Sequence, residues 1–82
     1  MSDDAPSVSR LAGQLSYLFE DHPELRDASD EEVAARLDHD DRFARARAHY
    51  PLASDATIKD EKVNEFPSRI TAAMVREARA QL

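Results

Sequence analysis

With 82 residues and no cysteine, the chain is expected to form one domain around one core, because this length leaves little apolar material for a second. The composition excludes disulfides, thiolate zinc sites and a cysteine nucleophile, and no apolar run approaches the roughly 18 residues that span a bilayer. The net charge of −6 is uneven, since residues 1–41 hold 12 acids and 3 bases whereas residues 42–82 hold 5 acids and 8 bases. This asymmetry indicates two differently charged surfaces.

The composition favours helices throughout. One glycine in the whole chain leaves too few tight turns for an all-β fold, whereas alanine, leucine, glutamate and arginine are good helix formers. We therefore expect an all-α domain of four or five short helices over residues 7–82, preceded by a disordered acidic leader over residues 1–6. The leader lacks the basic and apolar regions of a signal peptide, so we expect a cytoplasmic protein.

The first predicted helix runs from Ser7 to Glu20. Its apolar residues recur at three- and four-residue steps and form one stripe, which consists of Val8, Leu11, Ala12, Leu15, Leu18 and Phe19. Ser7 or Ser9 caps its start. The helix ends before Pro23, because the residue before a proline avoids helical geometry.

The second predicted helix, over residues 30–38, has the best start signal in the chain. Ser29 and Glu32 form a capping box, in which each side chain satisfies a free amide of the other residue. The polar run from Asp38 to Asp41 is then expected to be a solvated turn. It superficially resembles a metal cluster, but it lacks the alternating acids, central glycine and closing glutamate of a calcium loop. No metal site is predicted.

A third helix is predicted from Asp41 to Tyr50. Alanine alternates with larger residues over residues 43–48, which is also compatible with a strand. The helix preference of alanine and the lack of turn glycines favour the helix. Pro51 ends it.

Residues 51–67 are compatible with two structures. Ser54 or Asp55 caps a short helix that extends to about Glu65, or the segment forms an ordered loop or a glycine-free hairpin. In the helical alternative the inward-facing side chains are Ile58, Val63 and Phe66.

The last predicted helix begins at Ser68 or Arg69 and ends near Leu82. Its apolar face consists of Ile70, Met74, Val75, Ala78 and Leu82. Together the predicted helices place one core around Leu11, Leu15, Leu18, Val33, Leu37, Phe43, Ile70, Met74 and Val75.

The polar residues form no pattern that is typical of a catalytic site. The histidines His22, His39 and His49 lack the spacing of metal ligands, and the chain has no glycine-rich phosphate loop and no nucleophile elbow. We therefore predict no catalytic residues, no cofactor and no enzymatic activity.

Two of the predicted helices have the form of a helix-turn-helix unit, in which a short first helix crosses the DNA backbone and a second enters the major groove. Residues 29–37 provide the first helix, and residues 70–79 provide the second, anchored by Ile70 and Val75. The residues predicted to contact nucleic acid are Arg45, Arg47 and Arg69 on phosphates and Arg76 and Arg79 in the groove. Since few phosphate contacts give weak binding, a homodimer or larger assembly is expected to supply specificity.

These segments resemble the C-terminal DNA-binding domain of the nitrogen-type alternative sigma factors. In that family too, an amphipathic helix precedes an acidic-proline connection, a Ser-Asp-led helix and a recognition helix. The matching parts here are Leu11 to Phe19, Glu20 to Pro23, Ser29 to Leu37, and Ile70 to Leu82. The resemblance covers about half the chain and implies a helix-turn-helix fold, a role in transcription regulation and a DNA-facing Arg79.

The arginines in the middle of the chain allow two interpretations. Arg42, Arg45 and Arg47 lie close together in sequence and form a positive spot suited to phosphate. Alternatively, they pair with Asp40 and Asp41 just before them. We favour pairing and solvation.

The acidic half of the chain supports a second function. Its charges include Glu20, Asp21, Glu24, Asp27, Asp30, Glu31 and Glu32. Such a surface speeds association with a basic protein and repels nucleic acid. The alternative prediction is therefore an acidic interaction module, an inhibitor or adaptor that docks on a basic partner.

Overall fold

The structure, a computed structural model, describes residues 6–82 and contains four α-helices and two 3₁₀ segments, with no strand in that range. In chain order they are α1 (Val8–Asp21), a first 3₁₀ segment (Pro23–Asp27), α2 (Asp30–His49), α3 (Asp55–Asp60), a second 3₁₀ segment (Lys62–Glu65) and α4 (Ala72–Arg79). The predicted all-α class is therefore confirmed. The leader predicted over residues 1–6 lies, apart from Pro6, outside the described residues.

Helix α1 forms where its apolar stripe predicts it. The Ser7 hydroxyl accepts a hydrogen bond from the backbone N–H of Arg10 at 3.1 Å, which satisfies one amide of the first turn. The stripe faces inward, and its buried members are Leu11, Ala12, Leu15, Leu18 and Phe19. At the other end the backbone N–H of His22 donates to the carbonyl of Leu18 at 2.8 Å, and Pro23 then begins the first 3₁₀ segment.

Helix α2 corrects the prediction of two short helices separated by a turn. The chain stays helical through the polar run from residue 38 to residue 41. Two aspartates of this run have a partner one helical turn away, since Arg36 Nε lies 3.3 Å from Asp40 Oδ2 and Arg45 Nε lies 3.0 Å from Asp41 Oδ2. Ion pairs at this spacing support a helix, and no glycine or proline interrupts the segment, so the helix continues.

Serine caps begin both α2 and α3. The Ser29 hydroxyl accepts a hydrogen bond from the backbone N–H of Glu32 at 3.1 Å, and the Ser54 hydroxyl accepts one from that of Thr57 at 3.2 Å. Of the two alternatives for residues 51–67, the structure contains the short helix. It is shorter than predicted, because α3 ends at Asp60 after six residues and the second 3₁₀ segment begins at Lys62.

Helix α4 is shorter at both ends than predicted. The Thr71 hydroxyl accepts a hydrogen bond from the backbone N–H of Met74 at 3.3 Å and so caps the helix start. The amides of Arg69 and Ile70 instead donate to Oδ1 of Asp38 at 2.9 and 3.1 Å. Since these two amides already have an acceptor on α2, Arg69 and Ile70 stay outside α4.

The helices enclose two hydrophobic clusters where the sequence analysis predicted one. The large core joins α1, the first half of α2 and α4, and its buried side chains are Leu11, Ala12, Leu15, Leu18, Phe19, Val33, Ala34, Leu37, Ile70, Val75 and Ala78. The small core joins the second half of α2 to α3 and the second 3₁₀ segment, and it consists of buried Ala46, Ile58 and Val63 with partly buried Phe43, Tyr50, Ala53 and Phe66. Phe43 therefore belongs to the small core, and Met74 is only half-buried beside the large core.

The length of α2 explains the second cluster. With 20 residues it is about 30 Å long, and only its first half contributes to the large core. Its second half carries apolar side chains that need a separate cover, which residues 51–66 provide.

Candidate functional site

The two segments predicted to form a helix-turn-helix unit lie against each other in the large core. Val33 and Leu37 of α2 are buried in the same cluster as Ile70 and Val75. The intervening residues 38–69 form the second half of α2, α3 and the second 3₁₀ segment, so they pack around the small core. The two segments therefore meet even though they are far apart in the sequence.

Asp38, at the start of this intervening segment, is hydrogen-bonded to the backbone at its end. Its side chain is buried, and its Oδ1 accepts the backbone N–H groups of Arg69 and Ile70. Burial acts to raise the pKa of Asp38, but these two hydrogen bonds, together with the Ser68 hydroxyl and the Arg42 guanidinium, hold that pKa below its ordinary value. The carboxylate is therefore ionised at neutral pH and acts as a structural acceptor.

Asp41, one turn further along α2, binds two of the arginines predicted to hold phosphate. Arg69 donates from Nε and Nη2 to both of its carboxylate oxygens, at 2.8 and 2.9 Å, and Arg45 Nε lies 3.0 Å from Oδ2. Arg45 also donates from Nη2 to the Pro67 carbonyl at 2.6 Å and lies over the Phe66 ring, 5.7 Å from its centroid. Both guanidinium groups are thus engaged within the protein.

Arg47, the third arginine predicted to hold phosphate, connects the end of α2 to the loop before α3. Its Nη1 donates to Asp55 at 2.7 Å. Its Nη2 lies within hydrogen-bond distance of the carbonyls of Tyr50, Pro51 and Ala53. Arg47 is therefore engaged beside the small core, whereas Arg76 and Arg79 lie on α4.

The two arginines predicted to enter the groove differ from each other. The Arg79 side chain is 28% exposed, donates to the Ala28 carbonyl at 2.8 Å, lies 3.4 Å from Asp30 Oδ1 and stands over the Phe19 ring at 5.4 Å. The Arg76 side chain is 74% exposed and approaches Asp30 only to 3.9 Å. Of the five residues predicted to bind nucleic acid, Arg76 alone presents most of its side chain to solvent.

Asp38 and Asp41 were predicted to lie in a solvated turn, whereas both are structural residues of α2. One signal for Asp41 was available, because it lies four residues before Arg45 on the same helical face. No local signal existed for Asp38, whose partner amides are 31 and 32 residues away.

The acidic residues singled out from the sequence lie in one continuous stretch. This acidic turn, residues 20–32, spans the end of α1, the first 3₁₀ segment and the start of α2, and it holds seven acids and one arginine. Its exposed acids are Glu20, Asp21, Glu24, Asp27, Glu31 and Glu32. Within residues 6–82, Glu24 is the only one of these six in an ion pair, with His22 Nδ1 at 3.4 Å. The seventh, Asp30, pairs with the arginines of α4.

The part of the chain that the structure describes offers no metal site. Its histidine, aspartate and glutamate side chains form no group of three or more suited to a metal ion. None of its helices combines the length and the apolar surface that crossing a bilayer requires. The candidate functional features of these residues are the acidic turn and the exposed Arg76.

Comparison with known proteins yields no match: no family model, no curated protein and no solved structure matches the chain. The resemblance to the sigma-factor domain therefore stays a prediction from the sequence segments.

Proposed function

We propose that this protein is an acidic interaction module that docks on a basic protein partner through the acidic turn. The proposal rests on a difference between the acidic side chains of the turn and the arginines. Six of the seven carboxylates of the turn are exposed, and five of these six make no ion pair within residues 6–82. In contrast, four of the five arginines considered for nucleic acid hold carbonyls and carboxylates of the chain itself; these are Arg45, Arg47, Arg69 and Arg79.

The cost of releasing these arginines favours the acidic surface as the functional one. A hydrogen bond to a charged group stabilises a protein by about 1.5–3 kcal/mol. Arg69 and Arg79 would give up several such bonds before they contacted a phosphate. The acidic turn needs no rearrangement to meet a cation, and its charge attracts a basic protein and repels nucleic acid.

The turn is also held in one shape by the rest of the fold. Arg79 donates to the carbonyls of Leu25 and Ala28, at 3.5 and 2.8 Å, and so connects the first 3₁₀ segment to α4. The Ser29 cap defines the start of α2 at the other end of the turn. A surface that is already ordered loses little conformational entropy on binding, which supports its use as a docking site.

The test compares two triple variants that change the charge equally. The turn variant is Glu24→Gln, Asp27→Asn and Glu31→Gln, and the control variant is Asp60→Asn, Glu61→Gln and Glu77→Gln, all at exposed positions. A fluorescent peptide rich in lysine and arginine serves as the basic probe at low salt.

We expect the turn variant to associate with this probe roughly tenfold more slowly than wild type, because steering by the turn is lost. The control variant keeps the wild-type rate. An equal loss in both variants would show that only net charge matters, and it would contradict docking through the turn.

A second candidate function is a helix-turn-helix-like regulator that contacts DNA, or a complex already on DNA, through α4. The packing of Val33 and Leu37 against Ile70 and Val75 supports it, as does the exposure of Arg76. Since Arg76 is the one arginine of α4 that is largely exposed, binding is expected to be weak and to fall steeply with salt.

A gel-shift titration at low salt tests this candidate. Arg76→Ala is expected to weaken the shift of a DNA duplex, whereas Arg26→Ala, an exposed arginine within the acidic turn, leaves it unchanged. Equal shifts for wild type and Arg76→Ala would contradict the role of α4.

A further inference from the structure

A groove of about 370 Å³ opens between α1 and α2 beside the acidic turn. Its lining includes the buried Leu18 and Leu37, and it also carries Tyr17, Asp21 and Asp40. Tyr17 is the most exposed aromatic residue described, at 74%. Asp21 belongs to the acidic turn as well, so the groove and the turn form one continuous surface.

Three other aromatic rings of the protein each carry a cation that also pairs with an acid. The three sets are Arg79 over Phe19 with Asp30, Arg45 over Phe66 with Asp41, and Lys62 over Tyr50 with Glu65. The cations lie 5.4, 5.7 and 4.6 Å from the ring centroids, within the distance at which a cation is attracted to a ring face. In each set the chain supplies all three members.

Tyr17 has the ring and the acids of such a set. Asp21 lies four residues further along α1 on the same helical face, and it makes no ion pair within residues 6–82. No cation of the described chain stands over the Tyr17 ring. Arg10 also lines the groove, but it lies two helical turns before Tyr17. The set is therefore complete except for its cation.

We infer that this groove receives an arginine side chain of the partner, with the guanidinium over the Tyr17 ring and paired with Asp21. Asp40 provides a second carboxylate, because its pair with Arg36 is half-exposed at 3.3 Å and such surface pairs are weak. Arginine fits better than lysine, since its planar group stacks on a ring and binds a carboxylate at two points. The inference rests on the proposed docking function and names the chemistry that the partner presents.

The test uses substitutions of Tyr17 and two peptides of equal length, oligo-arginine and oligo-lysine. Tyr17→Leu removes the ring face, Tyr17→Phe keeps it, and Leu52→Ala is a control at a fully exposed apolar residue. We expect Tyr17→Leu to bind oligo-arginine about three- to tenfold more weakly than wild type, in line with a cation–ring contact. Tyr17→Phe and Leu52→Ala should bind oligo-arginine as wild type does. Tyr17→Leu should lose less affinity for oligo-lysine than for oligo-arginine.

A nuclear magnetic resonance titration locates the contact directly. Oligo-arginine is expected to shift the signals of Tyr17, Asp21 and Asp40 in wild type, and to shift them less in Tyr17→Leu. Shifts confined to residues 24–32 would overturn the inference, since the peptide would then bind the turn without the groove.

The two proposals fail in different ways. Equal affinity of wild type and Tyr17→Leu for oligo-arginine overturns the arginine site and leaves the acidic turn as the docking surface. Unchanged binding by the triple turn variant contradicts the docking function itself. Self-association of wild type that Tyr17→Leu abolishes would also overturn the inference, because the groove would then hold a second copy of this chain.

Discussion

In the large core, 11 buried apolar residues come chiefly from three helices, whereas the small core buries only three, Ala46, Ile58 and Val63. Arginines of α2 supplement the small core. Arg42 donates to the carbonyls of Val63 and Phe66 at 3.1 and 2.7 Å, and Arg45 and Arg47 bind other main-chain carbonyls around it.

This difference shows what arginine does where apolar residues are scarce. Its aliphatic stem covers apolar surface, and its donors satisfy the carbonyls of an irregular segment that has few partners of its own. The positive cluster in the sequence, which consists of Arg42, Arg45 and Arg47, therefore supports the structure of the small core. The same comparison leads to predictions about how each core fails.

The largest effect is expected in the large core. Leu15 is fully buried, and Leu15→Ala should cost about 3–5 kcal/mol because it leaves a cavity among side chains from several helices. That loss is comparable to the whole stability of a chain of this size. Urea denaturation followed by circular dichroism should show a largely unfolded variant, while Ser16→Ala, an exposed neighbour, changes stability by less than about 0.5 kcal/mol.

A smaller and more local effect is expected in the small core. Ile58 is also fully buried, but Ile58→Ala should cost only about 2 kcal/mol, at the low end for such changes, because the arginine bonds remain. Hydrogen exchange should speed up over residues 50–66 and stay slow in α1 and α4. Uniformly faster exchange in all helices would show that the two cores unfold as one unit.

Asp38 lies where the two cores meet, and its removal should affect both. Asp38→Ala leaves the amides of Arg69 and Ile70 without their acceptor, at a cost of about 1–3 kcal/mol. Asp38→Asn keeps an oxygen acceptor and should lose less. Equal denaturation midpoints for wild type and Asp38→Ala would contradict this role.

The pH dependence of stability sharpens the same prediction. Because the folded pKa of Asp38 lies below its unfolded value, the carboxylate contributes stability above the unfolded pKa that is lost as the pH falls through the folded pKa. The difference in unfolding free energy between wild type and Asp38→Ala should therefore begin to narrow at about pH 4, the ordinary pKa of aspartate, and should narrow further as the pH falls through the lower pKa of the folded state. A difference in unfolding free energy that stays constant over these pH values would contradict the role of the ionised carboxylate.

The smallest effect is a gain in stability on the exposed side of α1. Gly13 lies on the exposed side of α1, and a methyl group at this position would meet no atom within 4 Å beyond the adjacent residues and the backbone of its own helix. Gly13→Ala should stabilise the protein by about 0.5–1 kcal/mol, since alanine loses less backbone entropy in a helix. Thermal denaturation should show a midpoint a few degrees higher. An unchanged or lower midpoint would contradict this prediction.

Local features of the sequence predicted the starts of α1, α2 and α3, whereas α4 begins at Ala72, later than the predicted Ser68 or Arg69. Ser7, Ser29 and Ser54 each cap a helix as expected, because a cap depends on residues three positions apart. The stripe of α1 and the burial of Val75 were also predictable, since helical periodicity alone decides which face is apolar. Ile70 is buried as well, but it precedes α4, so its burial does not follow from the periodicity of that helix.

Contacts between distant residues decided the rest. The continuity of α2 through residues 38–41, the division into two cores and the engagement of the arginines all depend on tertiary structure. Asp38 is 31 residues from Arg69, Arg42 is 24 from Phe66, and Arg79 is 51 from Ala28. A charged side chain has the same sequence pattern whether it faces water, a phosphate or a carbonyl of its own chain. Whether such a side chain binds within the protein or stays exposed therefore depends on which backbone groups the fold brings within about 3 Å of it.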